Sequence, residues 1–217
     1  MARGRSPDYD DQREAILARA AELFAARGYP GTSMNEVAAA CGVSKPALYH
    51  YVRDKHELLA QICAAHVGRL LALVEAVQTE AAAAGWSAEA RLRALILRFV
   101  EAYADAQHEH RVLTEDVKFL TGAHAEQVLD GERRVVAAFA AAVAAARPDT
   151  APAALHKPLA MLLFGMINWM FTWLKPGGAI SHAEMAPIVA DLFFGGLAAV
   201  QLPGVQPAPP SDPDPSP

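Results

Sequence analysis

Residues 33–57 read SMNEVAAACGVSKPALYHYVRDKHE, and the punctuation of this stretch decides the fold. Ser33, followed three residues later by Glu36, is a capping box that opens a helix. Val37, Ala38 and Cys41 give that helix a small inner face, which lets a neighbouring helix come close. Gly42 falls where the chain must turn sharply, a position that commonly needs positive φ, and Val43 plugs the turn. Ser44 is a good N-cap for a second helix, and Pro46 is tolerated in its first turn because that N–H has no helical partner. The second helix, expected to be about two turns long, carries Lys45, Ala47, Tyr49, His50 and Tyr51. Asp54 and Glu57 spell another capping box for a third helix. Two short helices around a glycine turn make a helix-turn-helix, whose second member is offered to the major groove.

The side chains of the second helix suit duplex DNA. Lys45 and Ala47 lie near its N-terminal turn, where a lysine can reach guanine acceptors and a methyl can touch thymine. Tyr49, His50 and Tyr51 bring hydrogen-bond donors to phosphate height, and Lys55 lies beside the free N–H groups of the next helix start. An ordinary three-helix core with two exposed tyrosines is the plainer alternative. Caps, turn glycine and polar spacing all falling in register favour the DNA reader.

Outward from this unit, the chain reads as helices throughout. It has 217 residues, enough for one small and one medium domain. Ala, Leu and Val dominate and no period-two run of β-branched residues occurs, so the fold class is all-α. A first helix is expected over residues 9–27, with Ile16, Ala20, Leu23 and Phe24 inward; Gly28, Pro30 and Gly31 end it. A long helix should run over 54–84, its stripe Leu59, Cys63, His66, Leu70, Leu73 and Val77 regular enough to act as a lever. Another follows Ser87, with Leu92, Leu95, Ile96, Phe99, Val100 and Tyr103 on one side. Further helices are expected around 110–120 (Leu113, Val117 and Leu120 inward), 125–146, 158–174 and 181–201. The 158–174 helix is apolar nearly all round, and Ile188, Val189, Leu192, Phe193 and Leu197 make the last one apolar too. Such a pair is best covered by a second copy, giving a four-helix homodimer interface. Residues 203–217, PGVQPAPPSDPDPSP, are too rich in proline to form a packed core. Three regions result: 1–56 for DNA, 57–202 for ligand and dimer contacts, and 203–217 as a disordered tail. Residues 1–7 read as an arm whose Arg3 and Arg5 can reach a groove, and equally as a disordered start.

A net charge of −5 looks wrong for a DNA binder until it is divided. Residues 1–56 hold 8 Lys+Arg against 7 Asp+Glu, and residues 57–217 hold 11 against 17. Placement of charge, rather than whole-chain balance, governs DNA affinity. The two cysteines, Cys41 and Cys63, fall on apolar helix faces and read as free buried thiols. No signal-peptide core follows the N-terminal arginines, and the apolar run 159–174 is shorter than the roughly 20 residues a membrane span needs. A cytoplasmic protein with no membrane partner is expected.

Residues 23–59, which include FAARGYPGTSMNEVAAACGVSKPALYHYVRDKHELL, resemble the DNA-binding domain of the tetracycline-repressor-type (TetR) transcriptional regulators. Departures are small: Pro46 stands where glycine is common, Cys41 where alanine is common, and Val52 where phenylalanine is usual. Pro46 bears on how the recognition helix starts, so base preference does not carry over from relatives. The resemblance implies that Thr32, Ser33, Ser44, Tyr49, Tyr51 and Lys55 contact the DNA backbone while Lys45, Ala47 and His50 face base edges. It also implies a homodimer on double-stranded DNA.

The C-terminal region shows no phosphate loop, nucleophile elbow or Cys/His metal spacing, so neither an enzyme nor a metal or other cofactor is expected. Its expected task is to hold a small hydrophobic molecule and bias the spacing of two DNA readers. Candidate ligand contacts are His66, which interrupts the long helix's apolar stripe, Phe99, Asn168, Trp169 and Trp173. His66 fits a core histidine equally well, and the tryptophans fit a dimer interface equally well. The phrase GMINWMFTWLKPGG with the later DLFFGGL resembles TetR regulators that respond to acyl-coenzyme A thioesters in fatty acid, phenylacetate or sterol breakdown. That resemblance calls for cations at the pocket mouth, and Arg98, Arg133, Arg134, Lys118 and Lys175 are available. Two other readings stay open: a DNA-binding regulator governed by a protein partner, and a helical enzyme.

Overall fold

The computed structural model describes residues 7–150, 154–175 and 177–200. The expected N-terminal arm with Arg3 and Arg5, and the proline-rich segment 203–217, lie outside the described residues. Among the described residues there are helices and turns and no strand, in agreement with the all-α expectation.

Helix α1 (Pro7–Arg27) buries Ile16, Ala20 and Phe24 and leaves Leu23 half-buried. Gly28 ends it at φ +76°, the left-handed conformation that glycine adopts without cost. Helix α2 (Met34–Ala40) carries both halves of the Ser33–Glu36 capping box, and Gly42 makes the following turn at φ +65°. Helix α3 (Lys45–Leu48), capped by Ser44, is one turn long rather than two. Beyond it His50 N donates to Ala47 O at 3.1 Å and Tyr51 N to Leu48 O at 3.0 Å. These closures over three residues tighten the chain just where aromatic and β-branched side chains succeed one another.

Helix α4 (Lys55–Ala84) has the expected bounds, from the Asp54 cap to the left-handed Gly85. Only half of its expected capping box forms: Glu57 N donates to Asp54 Oδ1, but Glu57 Oε2 accepts from Arg53 N at 2.6 Å. Next come α5 (Ala88–Asp105), α6 (Gln107–Asp116) with a 3-10 turn over Val117–Phe119, and α7 (Gly122–Ala146). All six residues of the expected α5 stripe are buried. The chain closes with α8 (His156–Ile167) and α9 (His182–Ala199). The helix expected over 158–174 therefore breaks at Asn168. Thr172 donates to Trp169 O through both its hydroxyl, at 2.7 Å, and its backbone N–H, at 3.1 Å. Local bonding of this kind competes with the α-helical ladder and leaves a 3-10 turn at Met170–Thr172.

Two cores stack along α4. The first unites α1, α2 and α3 with Leu58, Leu59, Ile62, Cys63 and Val67 of α4, and takes in Val112, Leu113, Leu120 and Val128 from α6, α7 and the turn between them. It does not stop at residue 56; α6 packs along α1 and joins the DNA-reading unit to the rest. The second core surrounds Phe99, Phe139 and Phe164, whose rings meet edge-on or tilted at 4.7 Å and 4.8 Å. Helix α4 is long and apolar enough to cross a membrane by composition alone, but half of its most apolar window is buried within these cores.

Helices α8 and α9 leave an apolar face uncovered. Met161, Leu162, Met166, Trp169 and Trp173 are exposed on one side, Ile188 and Leu192 on the other, with Leu162 at 67% and Leu192 at 65%. Ile188 and Leu192 thus point outward, not into the protomer's own core. An added Cβ on Gly165, Gly195 or Gly196 would meet open space, so these positions leave room for another backbone to approach.

Candidate DNA-reading surface and ligand cavity

The segment 44–51 presents most of its polar side chains to solvent. Ser44, Lys45, Tyr49 and His50 are exposed, and Ala47 and Tyr51 are half-buried. Ser44 Oγ accepts from Ala47 N at 3.3 Å, and Leu48 anchors the turn in the first core. The start of α1 buttresses the other end: the Tyr9 ring stacks on Tyr51 at 4.8 Å, and its hydroxyl donates to His50 O at 3.3 Å. Ser33 is exposed, with its hydroxyl joined to Glu36 Oε2 at 2.7 Å.

Two of the expected backbone contacts are engaged within the chain. Thr32 is only 2% exposed, and its hydroxyl donates to Gly28 O at 3.1 Å, so it turns inward and ties off the α1 terminus. Lys55 Nζ donates to the carbonyls of Tyr29 and Thr32, each at 2.9 Å, and lies 4.4 Å from the centre of the Tyr29 ring. Its ammonium holds the α1–α2 loop.

A cavity of about 510 Å³ opens between α4, α5, α6, α7 and α8. Its wall is mostly apolar, formed by Val67, Leu70, Leu113, Val135, Val136 and Phe164 among others. The polar groups on it are Tyr103, His110, Thr114, Glu132 and Asn168, with Arg133 and Lys157 exposed at the rim. Neither rim cation forms an ion pair with a described residue. Of the expected ligand contacts, Asn168 and Arg133 line this cavity.

The other expected ligand residues are elsewhere. Arg98 pairs with Glu80 on the outer surface, at 2.8 Å from Nη1 to Oε1, and it lines no part of the cavity. Trp169 and Trp173, at 56% and 55% exposed, belong to the uncovered face. Phe99 is fully buried in the second core. His66 is buried one layer behind the wall, its Nε2 at 3.3 Å from His110 Nδ1. Sequence reading missed His110, Tyr103, Glu132 and Lys157 as cavity residues. Tyr103 was legible only as part of an apolar stripe, and His110, two residues after His108, has no metal-ligand spacing on a helix.

The histidines form a chain with a single consistent set of protons. His110 Nε2 must donate to Asn168 O at 3.3 Å, so His110 Nδ1 accepts from His66 Nε2–H. His66 Nδ1 then accepts from the Arg69 guanidinium, 3.5 Å away. Both rings are neutral: burial, with His110 and Arg69 nearby, pulls His66 down to about 3, and burial pulls His110 down to about 4. The His110 ring also stacks on Tyr103 at 3.7 Å. Burial raises the Glu132 carboxyl above its ordinary range and pushes the Cys63 thiol up to about 12, which makes Cys63 an inert core residue. Cys41 is half-buried and also free.

Helix α6 faces both sites. His110 lines the cavity, and one helical turn and a half later Asp116 Oδ2 accepts Tyr29 N at 3.2 Å in the α1–α2 loop.

Comparison with known proteins agrees with this architecture. The family described as "Bacterial regulatory proteins, tetR family" matches residues 16–62, and the one described as "Tetracyclin repressor-like, C-terminal domain" matches residues 85–197. The crystal structure of a TetR-family transcriptional regulator from Bordetella parapertussis 12822 is 32% identical. The match covers 87% of this chain and 97% of that one, with a TM-score of 0.78. The chain belongs to the TetR family of DNA-binding transcriptional regulators, and is not an enzyme.

Two further likenesses bear on its input. The structure of AibR in complex with isovaleryl coenzyme A and operator DNA is 26% identical, over 83% of this chain and 97% of that one, with a TM-score of 0.71. The transcriptional activator FasR of Mycolicibacterium smegmatis is 32% identical over 115 residues, 52% of this chain. That match spans only 50% of FasR, about half the length of this curated relative.

Proposed function

We propose that the protein is a homodimeric repressor that leaves a palindromic operator when a small hydrophobic effector, an acyl-coenzyme A thioester, enters the cavity. Residues 1–56 carry the DNA reader and residues 57–202 the effector site and dimer contacts. Ser33, Ser44, Tyr49 and Tyr51 hold the DNA backbone, and Lys45, Ala47 and His50 face base edges. The observation that carries the reading is the cavity itself. An apolar chamber of about 510 Å³, within the range of small-molecule sites, has two unpaired cations at its mouth and abuts the helix that holds the α1–α2 loop. An acyl chain fills the chamber, Arg133 and Lys157 meet the coenzyme's phosphates, and a shift of α6 reaches the DNA reader through Asp116 and Tyr29. The AibR structure in complex with isovaleryl coenzyme A supports the ligand class.

Thermal-shift screening against acyl-coenzyme A thioesters, joined to operator release followed by fluorescence anisotropy, tests the proposal. A thioester at a hundredfold over its dissociation constant should add roughly 2.7 kcal/mol of stability and lower operator affinity. Stability unchanged by every thioester would end the ligand assignment. The likeness to an activator favours a second reading of the sign, in which the effector strengthens DNA binding. The same anisotropy titration separates the two.

A further inference from the structure

We propose that Glu132 takes up a proton from solvent when an effector fills the cavity, so that effector binding is coupled to pH. This rests on the cavity being the effector site, and adds how that site answers to its medium.

Glu132 lines the cavity from α7, among the apolar side chains of Val67, Leu70, Val135, Val136 and Phe164. It is half-buried, and its carboxyl makes no hydrogen bond or ion pair with any described residue. Both carboxyl oxygens nevertheless keep accessible surface, unlike Asn168 Oδ1, which is sealed. A carboxylate without a partner in the protein relies on solvent to hold its charge. An acyl chain that fills an apolar chamber excludes that solvent, and a carboxyl so desolvated gives up its charge by taking a proton.

The titratable groups around Glu132 do not take over this charge. On α4 and α5, the Cys63 thiol and the Tyr103 hydroxyl stay protonated, because burial and then the Glu132 carboxylate itself raise both. On α6 the His110 ring is neutral with both nitrogens engaged, and His66 behind it is neutral too. Lys157 of α8 and Arg133 of α7 stand exposed at the rim with no ion pair to Glu132, where the coenzyme's phosphates engage them. Burial already raises the Glu132 carboxyl above its ordinary range before any ligand enters. The complex therefore binds more protons than the free protein. Effector affinity is greatest at low pH and falls as pH rises, by up to about tenfold per unit.

Isothermal titration calorimetry of the full chain, in buffers of different ionisation enthalpy between pH 6.5 and 8, counts the protons. One probe is octanoyl-coenzyme A. The other is S-octanoyl-N-acetylcysteamine, a thioester with no group that titrates in this range. Wild type should take up roughly half a proton more than Glu132→Gln at pH 7 with either probe. Its affinity for the uncharged thioester should weaken about threefold or more from pH 6.5 to 8. Glu132→Gln should hold that probe equally well across the range. Glu132→Asp keeps a carboxyl and should keep the uptake, and circular dichroism confirms that both variants fold. Equal proton counts in wild type and Glu132→Gln with a thioester that binds, or a wild-type affinity for the uncharged thioester that ignores pH, overturns this proposal alone. If neither thioester binds wild type, the effector reading falls and this proposal falls with it.

Discussion

The ammonium of Lys55 stands 2.9 Å from the carbonyl oxygen of Thr32, and at the same distance from that of Tyr29. A cation in the first turn of α4 thereby fixes the loop that leads into α2, with the Tyr29 ring below it. Replacing it removes a charged donor from both carbonyls, and Tyr29 O keeps only the Thr32 N–H at 3.3 Å. Lys55→Met should cost about 1–2 kcal/mol, allowing for its partial exposure, which lowers Tm by roughly 2–8 °C. Operator affinity should fall as well, but the slope of log affinity against log salt should stay unchanged. A slope smaller by about one would instead mark Lys55 as a phosphate contact.

The uncovered faces of α8 and α9 lead to a second expectation. Leu162 and Leu192 are the most exposed large apolar side chains on them, and a twofold partner is the simplest cover for both. Leu162→Glu with Leu192→Glu places charges in that interface, so the variant should run as a folded monomer in light scattering. Its operator affinity should drop at least tenfold, because one half-site is read instead of two. A variant that stays dimeric would show that the contact lies elsewhere.

The His66–His110 pair makes stability depend on pH with a definite sign. Both rings are held neutral, at about 3 and about 4, against an ordinary 6.5. The unfolded chain therefore binds more protons than the folded one below pH 6.5. Stability is complete above that value and is lost as pH falls toward 4 and then 3. Arg69, held near Glu109 at 3.6 Å, faces the pair and opposes a further positive charge. Melting temperature should fall steadily from pH 7 to pH 4 in wild type. In His66→Gln/His110→Gln the fall should be shallower, since two titrating groups are gone.

Much of this was legible in the chain before any coordinates. Ser33, Ser44, Asp54, Ser87, Gly42 and Gly85 act through neighbours within four residues, so caps and turns could be read directly. The apolar stripe of α5 follows from periodicity alone. What escaped depends on contacts between distant positions. Whether Lys55 meets phosphate or a carbonyl is set by the path of residues 29–32, and whether Trp169 faces a cavity or solvent is set by the break at Asn168. The cavity wall draws its residues from five helices far apart in the chain, and no local pattern marks Glu132 or His110 as belonging to it.

A tight contact between α4 and α7 gives the last prediction. Gly131 lies in the middle of α7 against Val67, and a Cβ built on it would come within 2.4 Å of Val67 Cγ1. On helix preference alone, exchanging glycine for alanine should stabilise by about 1 kcal/mol. Here the added methyl has nowhere to go, because Val67 is buried and a β-branched side chain in a helix has one favoured rotamer. The helices must therefore part or Val67 must strain, at about 1–3 kcal/mol. Gly131→Ala should melt below wild type despite its better helix former, and Val67→Ala in the same chain should recover part of the loss by making room. The double-mutant cycle in Tm checks both statements, and additive effects of the two changes would contradict the close packing. Gly131 also adjoins Glu132 on the cavity wall, so parting α4 from α7 should weaken effector binding along with stability.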